Sequence, residues 1–241
     1  MSHIHLPDGV LPVWLWVSGF IVAILIGAIL FRFNKKEDLT RRLPLLGMMA
    51  ALMVLGASVE IVPIAYHVNL TVMSGILLGP SLIFLATFVV NVILALFGHG
   101  GITVIGLNTL VLSIEGILGY VLFRLIWRLS KKLILAIFLA TFLALLCSTF
   151  AMIGVVSLGT SHYEELIHEE GKGIFEFHFS KEKSDQHEEK KGGEVNLKRF
   201  MAIVLPLGFI GWVLEGVITS LIARYIHRLR PDLLRLDNKT P

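Results

Sequence analysis

Two histidines stand among the first five residues, in "MSHIHLPDG", just ahead of an apolar run. Two more, His67 and His99, lie in short polar breaks between apolar stretches. Imidazole is the commonest protein ligand for transition metals, and no cluster of cysteine or methionine competes for that role here. A histidine near the N-terminus has a further option, because the free α-amine has a pKa of roughly 8 and can bind a metal near neutral pH. If Met1 is removed, which the small Ser2 favours, the amine of Ser2 and the backbone nitrogen and imidazole of His3 can close linked chelate rings on one ion. A fourth nitrogen from His67 then completes a planar set, a geometry that suits Ni(II) or Cu(II) better than the tetrahedral Zn(II). If Met1 is kept, the amine, two amide nitrogens and the imidazole of His3 form a planar set without His67. The plain alternative is a pair of surface histidines. A metal-bound imidazole usually donates its other N–H to a carboxylate or amide. Asp8, Asn108, Glu60 and His99 are the candidates for that supporting role, although Asp8-Gly9 reads equally well as a turn before the first helix.

These donors are far apart in the chain, so the intervening elements must fold back and forth to collect them. A spanning helix needs about 20 apolar residues, and the runs 11–32, 43–63, 102–123, 133–158 and 200–223 qualify. The stretch 70–97, "LTVMSGILLGPSLIFLATFVVNVILALF", is long for one crossing and carries Gly79-Pro80 near its middle, where a helix kinks or breaks. The positive-inside rule decides its reading. The basic loop "FRFNKKEDLTRRL" puts the N-terminus outside. Only if 70–97 is a pair of short helices do "FRLIWRLSKK" and the tail with Arg224, Arg228 and Arg230 also return to the cytoplasm. The expected fold is an all-α polytopic membrane protein with about seven transmembrane helices, N-terminus outside and C-terminus cytoplasmic. His3, His5, His67 and His99 then share the outer side. On this reading residues 1–10 are an extracellular metal-chelating N-terminus and 11–158 hold membrane helices one to six. Residues 159–198 form an external charged loop containing His162, His168, His178 and His187, residues 199–230 the last helix, and 231–241 a cytoplasmic tail.

Composition agrees with a membrane protein: 55% of the 241 residues are hydrophobic, 16% are charged, and the mean hydropathy is +0.79. No basic segment precedes the first apolar run, so it is read as a membrane helix and not as a cleaved signal. The lone Cys147 rules out an intrachain disulfide and a multi-thiolate metal site. A net charge of +3, carried by loops, gives no sign of nucleic-acid binding. No G-x-x-x-x-G-K-[ST] loop is present, so the chain cannot hydrolyse ATP by that route. Glu115 and Glu215 fall inside apolar runs, either as a polar pair holding helices together or as functional acids. The small-residue stripes Gly19/Ala23/Gly27 and Gly47/Ala51 allow close helix approach, within the chain or against a second membrane protein.

The string "HLPDG" before a long apolar helix, the "ILLGP" break and "LFGHGGITVIGLNTL" together resemble the CbiM/NikM family, the substrate-specific membrane components of cobalt and nickel energy-coupling factor transporters. The motifs lie within about residues 5–125, and the remainder matches by hydropathy. The resemblance implies a multi-pass cell-membrane subunit that captures Ni(II) or Co(II), as transported substrate, at the outer face. Energy would come from an energy-coupling factor transmembrane coupling (T) subunit and two ABC ATPase subunits, and the need for a small accessory membrane protein stays open. The family's ligands are the N-terminal amine, the amide nitrogen and imidazole of the second residue, and an internal histidine. His67 takes the internal position, counted back from Gly79-Pro80, and Asn108 takes the asparagine position of the Gly-x-Asn motif. At the N-terminus the chain departs from the pattern. His5 matches by motif, whereas His3, with Ser2, matches by distance from a processed amine. A stand-alone carrier driven by an ion gradient is the alternative, but such carriers usually pair broken helices across two repeats. Here there is one break and no detectable repeat. An enzyme using a histidine-bound metal would need an open coordination position and a general base, and no compact motif supplies them.

Overall fold

A computed structural model describes residues 11–32, 36–58, 60–61, 66–98, 100–167 and 197–234. Among them are seven α-helices: α1 (Val13–Arg32), α2 (Lys36–Ser58), α3 (Thr71–Leu78), α4 (Pro80–Leu96), α5 (Ile105–Ser130), α6 (Leu133–Ile167) and α7 (Leu197–Leu229). Two short strands, β1 (Glu60–Ile61) and β2 (Tyr66–His67), pair antiparallel, and a 3-10 turn, Pro231–Leu234, closes the described chain. Four helical segments are long and apolar enough to cross a membrane: α1, α5, Leu133–Val155 of α6 and Gly208–Leu229 of α7.

The expected break in 70–97 is present, and its cause is local. Gly79 has φ +81° and ψ 175°, a conformation glycine reaches without penalty, and Pro80 opens α4, where its missing N–H costs nothing. The two products differ in kind. α3 spans roughly 12 Å at 1.5 Å per residue, too short to cross alone, and all eight of its residues are buried. Residues 68–70 enter it without regular structure, which membrane depth tolerates only inside protein.

α2 ends at Ser58, short of residue 63. The following "VEIVP" is β-branched and runs into Pro63, which disfavours helix for the residue before it, and Glu60–Ile61 pairs with β2 instead. α6 continues past residue 158 to Ile167 through helix-compatible "TSHYEELI", and α7 starts at Leu197, so both margins of the 159–198 segment are helical. Residues 168–196 lie outside the described residues.

Ser81 at the start of α4 donates to the carbonyl of Leu30 at the end of α1, 3.1 Å away. At the opposite end, Leu11 and Leu15 of the first segment pack with Val104, Leu107 and Met152. The starts of α1 and α5 therefore share one end of the bundle with the outgoing part of α6. A larger core joins α2 to α7 through Met73, Ile83, Val90, Ile137, Ala144 and Ala223.

Close approaches run through glycine. A Cβ on Gly75 would strike the Gly116 carbonyl oxygen, and one on Gly106 would meet the backbone of Phe20 at 2.7 Å. The first stripe serves this internal packing: Gly19 abuts Leu107, Gly27 abuts Phe84, and Ala23 is buried. Gly47 and Ala51 of the second stripe face outward.

Candidate functional site

Of the residues expected to bind metal, His67 is the one the structure describes; Ser2, His3 and His5 lie outside the described residues, as do Asp8 and His99 of the supporting set. His67 is half-buried and sits directly opposite Glu60 in the two-stranded pair. The pairing makes the backbones of the two residues cross-strand neighbours. Asn108 is buried in the first turn of α5, its N–H bonded to the Val104 carbonyl at 2.9 Å. Among the described residues no group of three His, Cys, Asp or Glu side chains is close enough to hold a metal.

What fixes His67 lies on either side of it. Gly56 of α2 leaves room for the Val68 carbonyl oxygen, which would stand 2.5 Å from a Cβ there. Two residues beyond His67, Asn69 is 3% exposed and makes three hydrogen bonds. Its backbone N–H donates to Glu215 Oε2 at 3.1 Å. Its side-chain amide donates to Glu115 Oε1 at 2.5 Å. Its Oδ1 accepts from the Thr71 N–H at 2.8 Å, which satisfies one of the orphan donors at the start of α3. The Ser148 hydroxyl of α6 also reaches Glu115. One asparagine thus ties the strap that carries His67 to α3, α5 and α7 together.

The two intramembrane acids of the sequence therefore meet through Asn69, between helices far apart in the chain. Both are fully enclosed, Glu115 at 1% and Glu215 at 0% exposure. Burial of carboxyl groups is tolerable only with hydrogen-bond donors in place, and Asn69 supplies one to each. Sequence reading found the acids but not Asn69. Its only signal was a polar residue in "YHVNL", one residue short of a helix start.

A second polar seam joins α4 to α5. Thr87 Oγ1 and Ser113 Oγ are 2.7 Å apart, and the Asn91 amide donates to the Thr87 carbonyl at 2.9 Å and to Thr109 Oγ1 at 3.3 Å. Thr109 follows Asn108, so this seam fixes the register of the α5 turn that carries Asn108. Bonds of this kind between spanning helices contribute roughly 0.6 kcal/mol each.

Comparison with known proteins agrees with this architecture. Residues 5–233 match the family model CbiM, described as the cobalt uptake substrate-specific transmembrane region. The cobalt transport protein CbiM of Geobacter sulfurreducens is 30% identical over 246 residues, covering 95% of this chain and 61% of that protein. A proposed fused cobalt transport protein, CbiMQ, of Methanocorpusculum labreanum is 27% identical over 237 residues, covering 95% of this chain and 36% of that one. The chain thus spans less than two thirds of the length of either relative. A solved structure of a truncated transition metal transporter superposes with a TM-score of 0.68 at 18% identity, covering 94% of this chain and 99% of that chain. At that identity the likeness shows a shared fold.

Proposed function

Because the chain belongs to the CbiM family, the substrate-specific transmembrane regions of cobalt uptake, we propose that it is the metal-capturing membrane subunit of a transporter and not an enzyme. The cargo is Co(II) or Ni(II), taken at the bundle end where α1 and α5 begin. The observation that carries this reading is the anchored strap: His67 is held between the Glu60 pairing above and the Asn69 network below. A ligand held this way loses little conformational freedom when a metal arrives.

The remaining donors come from the N-terminal segment. The amine of Ser2 with the amide and imidazole of His3 gives three nitrogens in linked rings, and His67 gives the fourth. His5 stands as a further ligand or support, with Asp8, Asn108, His99 and Glu60 around the set. Planar nitrogen coordination favours Ni(II), whereas Co(II) accepts it with added axial ligands, so cavity shape decides between them. Energy arrives from separate subunits, a membrane coupling protein and a pair of ABC ATPases. The name of the fused relative, which joins an M part to a Q part, supports the existence of a membrane partner.

Orientation follows from charge. Arg124, Arg128, Lys131 and Lys132 mark the end where α5 passes to α6, and Arg224, Arg228 and Arg230 mark the end of α7. Arg32 closes α1 at that same end, leaving Lys198 and Arg199 at the other. The positive-inside rule places the basic end in the cytoplasm and the His67 end outside.

The test is metal content and stoichiometry of the purified protein, with its first residue read by mass spectrometry on the same sample. One Co or Ni per chain is expected. His67→Ala is expected to weaken binding by more than about 100-fold, beyond the range that loss of an outer partner causes, and acetylation of the N-terminus to weaken it as well. Tight binding that survives both changes would exclude this donor set.

A further inference from the structure

A second site lies at the opposite end of the bundle from His67. Between the first turn of α6 and the last turns of α7 is a groove of about 800 Å³, within the size range of ligand sites. From its chemistry we propose that this groove holds one anionic phospholipid, headgroup phosphate toward Lys132, Arg224 and Arg228 and acyl chains along α6 and α7.

Charge is the first argument. Arg224 and Arg228 are one turn apart on α7, so both side chains project from the same face, and Lys132 stands across from them just before α6. The other cations nearby are occupied. Arg230 forks onto Asp232 with two bonds of 3.0 Å, Arg124 lies over the Tyr120 ring, and Lys131 over the Trp127 ring. Lys132, Arg224 and Arg228 have no carboxylate or ring partner for their side chains among the described residues, and no acidic residue lines the groove. His227 adds a buried Nδ1 with no hydrogen-bond partner among the described residues. The first turn of α6 adds backbone N–H groups that no helical carbonyl can reach, at the positive end of its dipole. Three cations with no acidic partner among the described residues, set around a groove whose walls are almost wholly apolar, call for an anionic headgroup on an apolar body.

Shape selects the source of that anion. Below the cationic rim the walls are Phe138 of α6 and Val217 and Leu221 of α7. These lie within the segments apolar enough to cross a membrane, and Val217 and Leu221 are 45% and 59% exposed on the lipid side. A free phosphate would leave that apolar length uncovered, whereas a phospholipid fills both parts. Basic pockets between helices at a cytoplasmic face are a general form of anionic-headgroup site.

The experiment is native mass spectrometry of the full chain, released from detergent after addition of phosphatidylglycerol, phosphatidylcholine or inorganic phosphate. One phosphatidylglycerol per chain is expected to survive release, with phosphatidylcholine retained far less and phosphate not retained. The double variant Arg224→Gln/Arg228→Gln is expected to lose about 30-fold in apparent affinity, the scale of two membrane-facing arginines. Leu221→Trp, which fills the apolar part of the groove on an outward-facing site and leaves the charges intact, is expected to lower retention too. Equal retention of the two lipids, or wild-type retention in either variant, would overturn the proposal. Binding of phosphate as tight as that of phosphatidylglycerol would reassign the site to a soluble anion. Retention of no lipid at all would leave the groove to a protein partner and also overturn it. Metal stoichiometry at the far end is unaffected by any of these results.

Discussion

Asn69 has two separable effects, on stability and on metal binding, because it stands between His67 and the buried acids. Asn69→Ala removes the donor to Glu115 and the acceptor for the Thr71 N–H while leaving both of those groups buried. The expected cost is about 2–3 kcal/mol, read as a lower melting temperature of the purified protein in detergent. Asn69→Asp should be worse than Asn69→Ala, since it turns an acceptor toward Glu115 Oε1 where a donor stood. Metal affinity should fall by roughly 10- to 100-fold in the alanine variant, the range for residues that orient a ligand without touching the metal. A variant that is destabilised yet binds metal with wild-type affinity would reduce Asn69 to a packing residue. At this scale the sequence was legible where chemistry is unusual in its setting. A histidine between apolar runs and two glutamates inside them stand out, because membrane depth makes polar groups costly. An asparagine at a helix start does not stand out, since such residues cap helices everywhere. Only the meeting of α3, α5 and α7 reveals its three bonds.

Glycine separates the helices that must touch from those that need not. Gly75→Ala would push a methyl group into the Gly116 carbonyl, at the crossing that positions α3 under the strap. Overpacking of this kind costs about 1–3 kcal/mol. Gly47 has nothing within 4 Å of an added Cβ and lies on the outward face of α2. Gly47→Ala should therefore leave the melting temperature unchanged or slightly raised, and equal destabilisation by the two substitutions would show that the α3–α5 crossing is looser than described. The turn after α7 carries a pH signature with a definite sign. The hydrogen bonds from Arg230 hold Asp232 below its ordinary 3.8. A lowered carboxyl pKa stabilises in full above that ordinary value and is lost as pH falls through the lowered one. The pair is exposed on both sides, so the effect is small and screened by salt. A melting curve of Asp232→Asn should differ from wild type only above about pH 4 and at low ionic strength. Among elements, the split at Gly79-Pro80 was legible because glycine and proline act through the local backbone. The early end of α2 and the long helical course of α6 were not, since hydropathy locates apolar runs and says little of where a helix stops once outside them.

The whole molecule is asymmetric along its axis, and that asymmetry decides what it can do. One end gathers Arg124, Arg128, Lys131, Lys132, Arg224 and Arg228, and the other presents His67 on its paired strap. Seven helices make this possible where six would not. α3 takes the chain part of the way toward the basic end and α4, antiparallel to α5, brings it back to the end where α5 begins, so the basic loops around α5 and α7 fall together. An even number of passages would have split them across the bilayer against the charge bias. Orientation can be measured directly, because the lone Cys147 can be replaced by serine and single cysteines placed at outward-facing sites. Ile102, in the turn before α5, is 58% exposed, and Leu129, at the end of α5, is 79% exposed. In right-side-out membrane vesicles a membrane-impermeant maleimide should label Ile102→Cys at once and Leu129→Cys only after the vesicles are opened. The reverse pattern would put His67 on the cytoplasmic side, where it could release a metal but not capture one from outside. Capture outside, as proposed, also carries a mechanical requirement. The acids beneath His67 are locked to Asn69 and enclosed by α3, α5 and α7, so in this conformation they offer the ion no ready exit toward the basic end. On the proposed function, delivery across the membrane then calls for a change in the orientation or packing of the bundle, which the proposed ATP-hydrolysing partners would drive. A protein whose isolated form carries metal across a vesicle membrane, with no partner and no nucleotide, would contradict that requirement and favour a self-sufficient carrier.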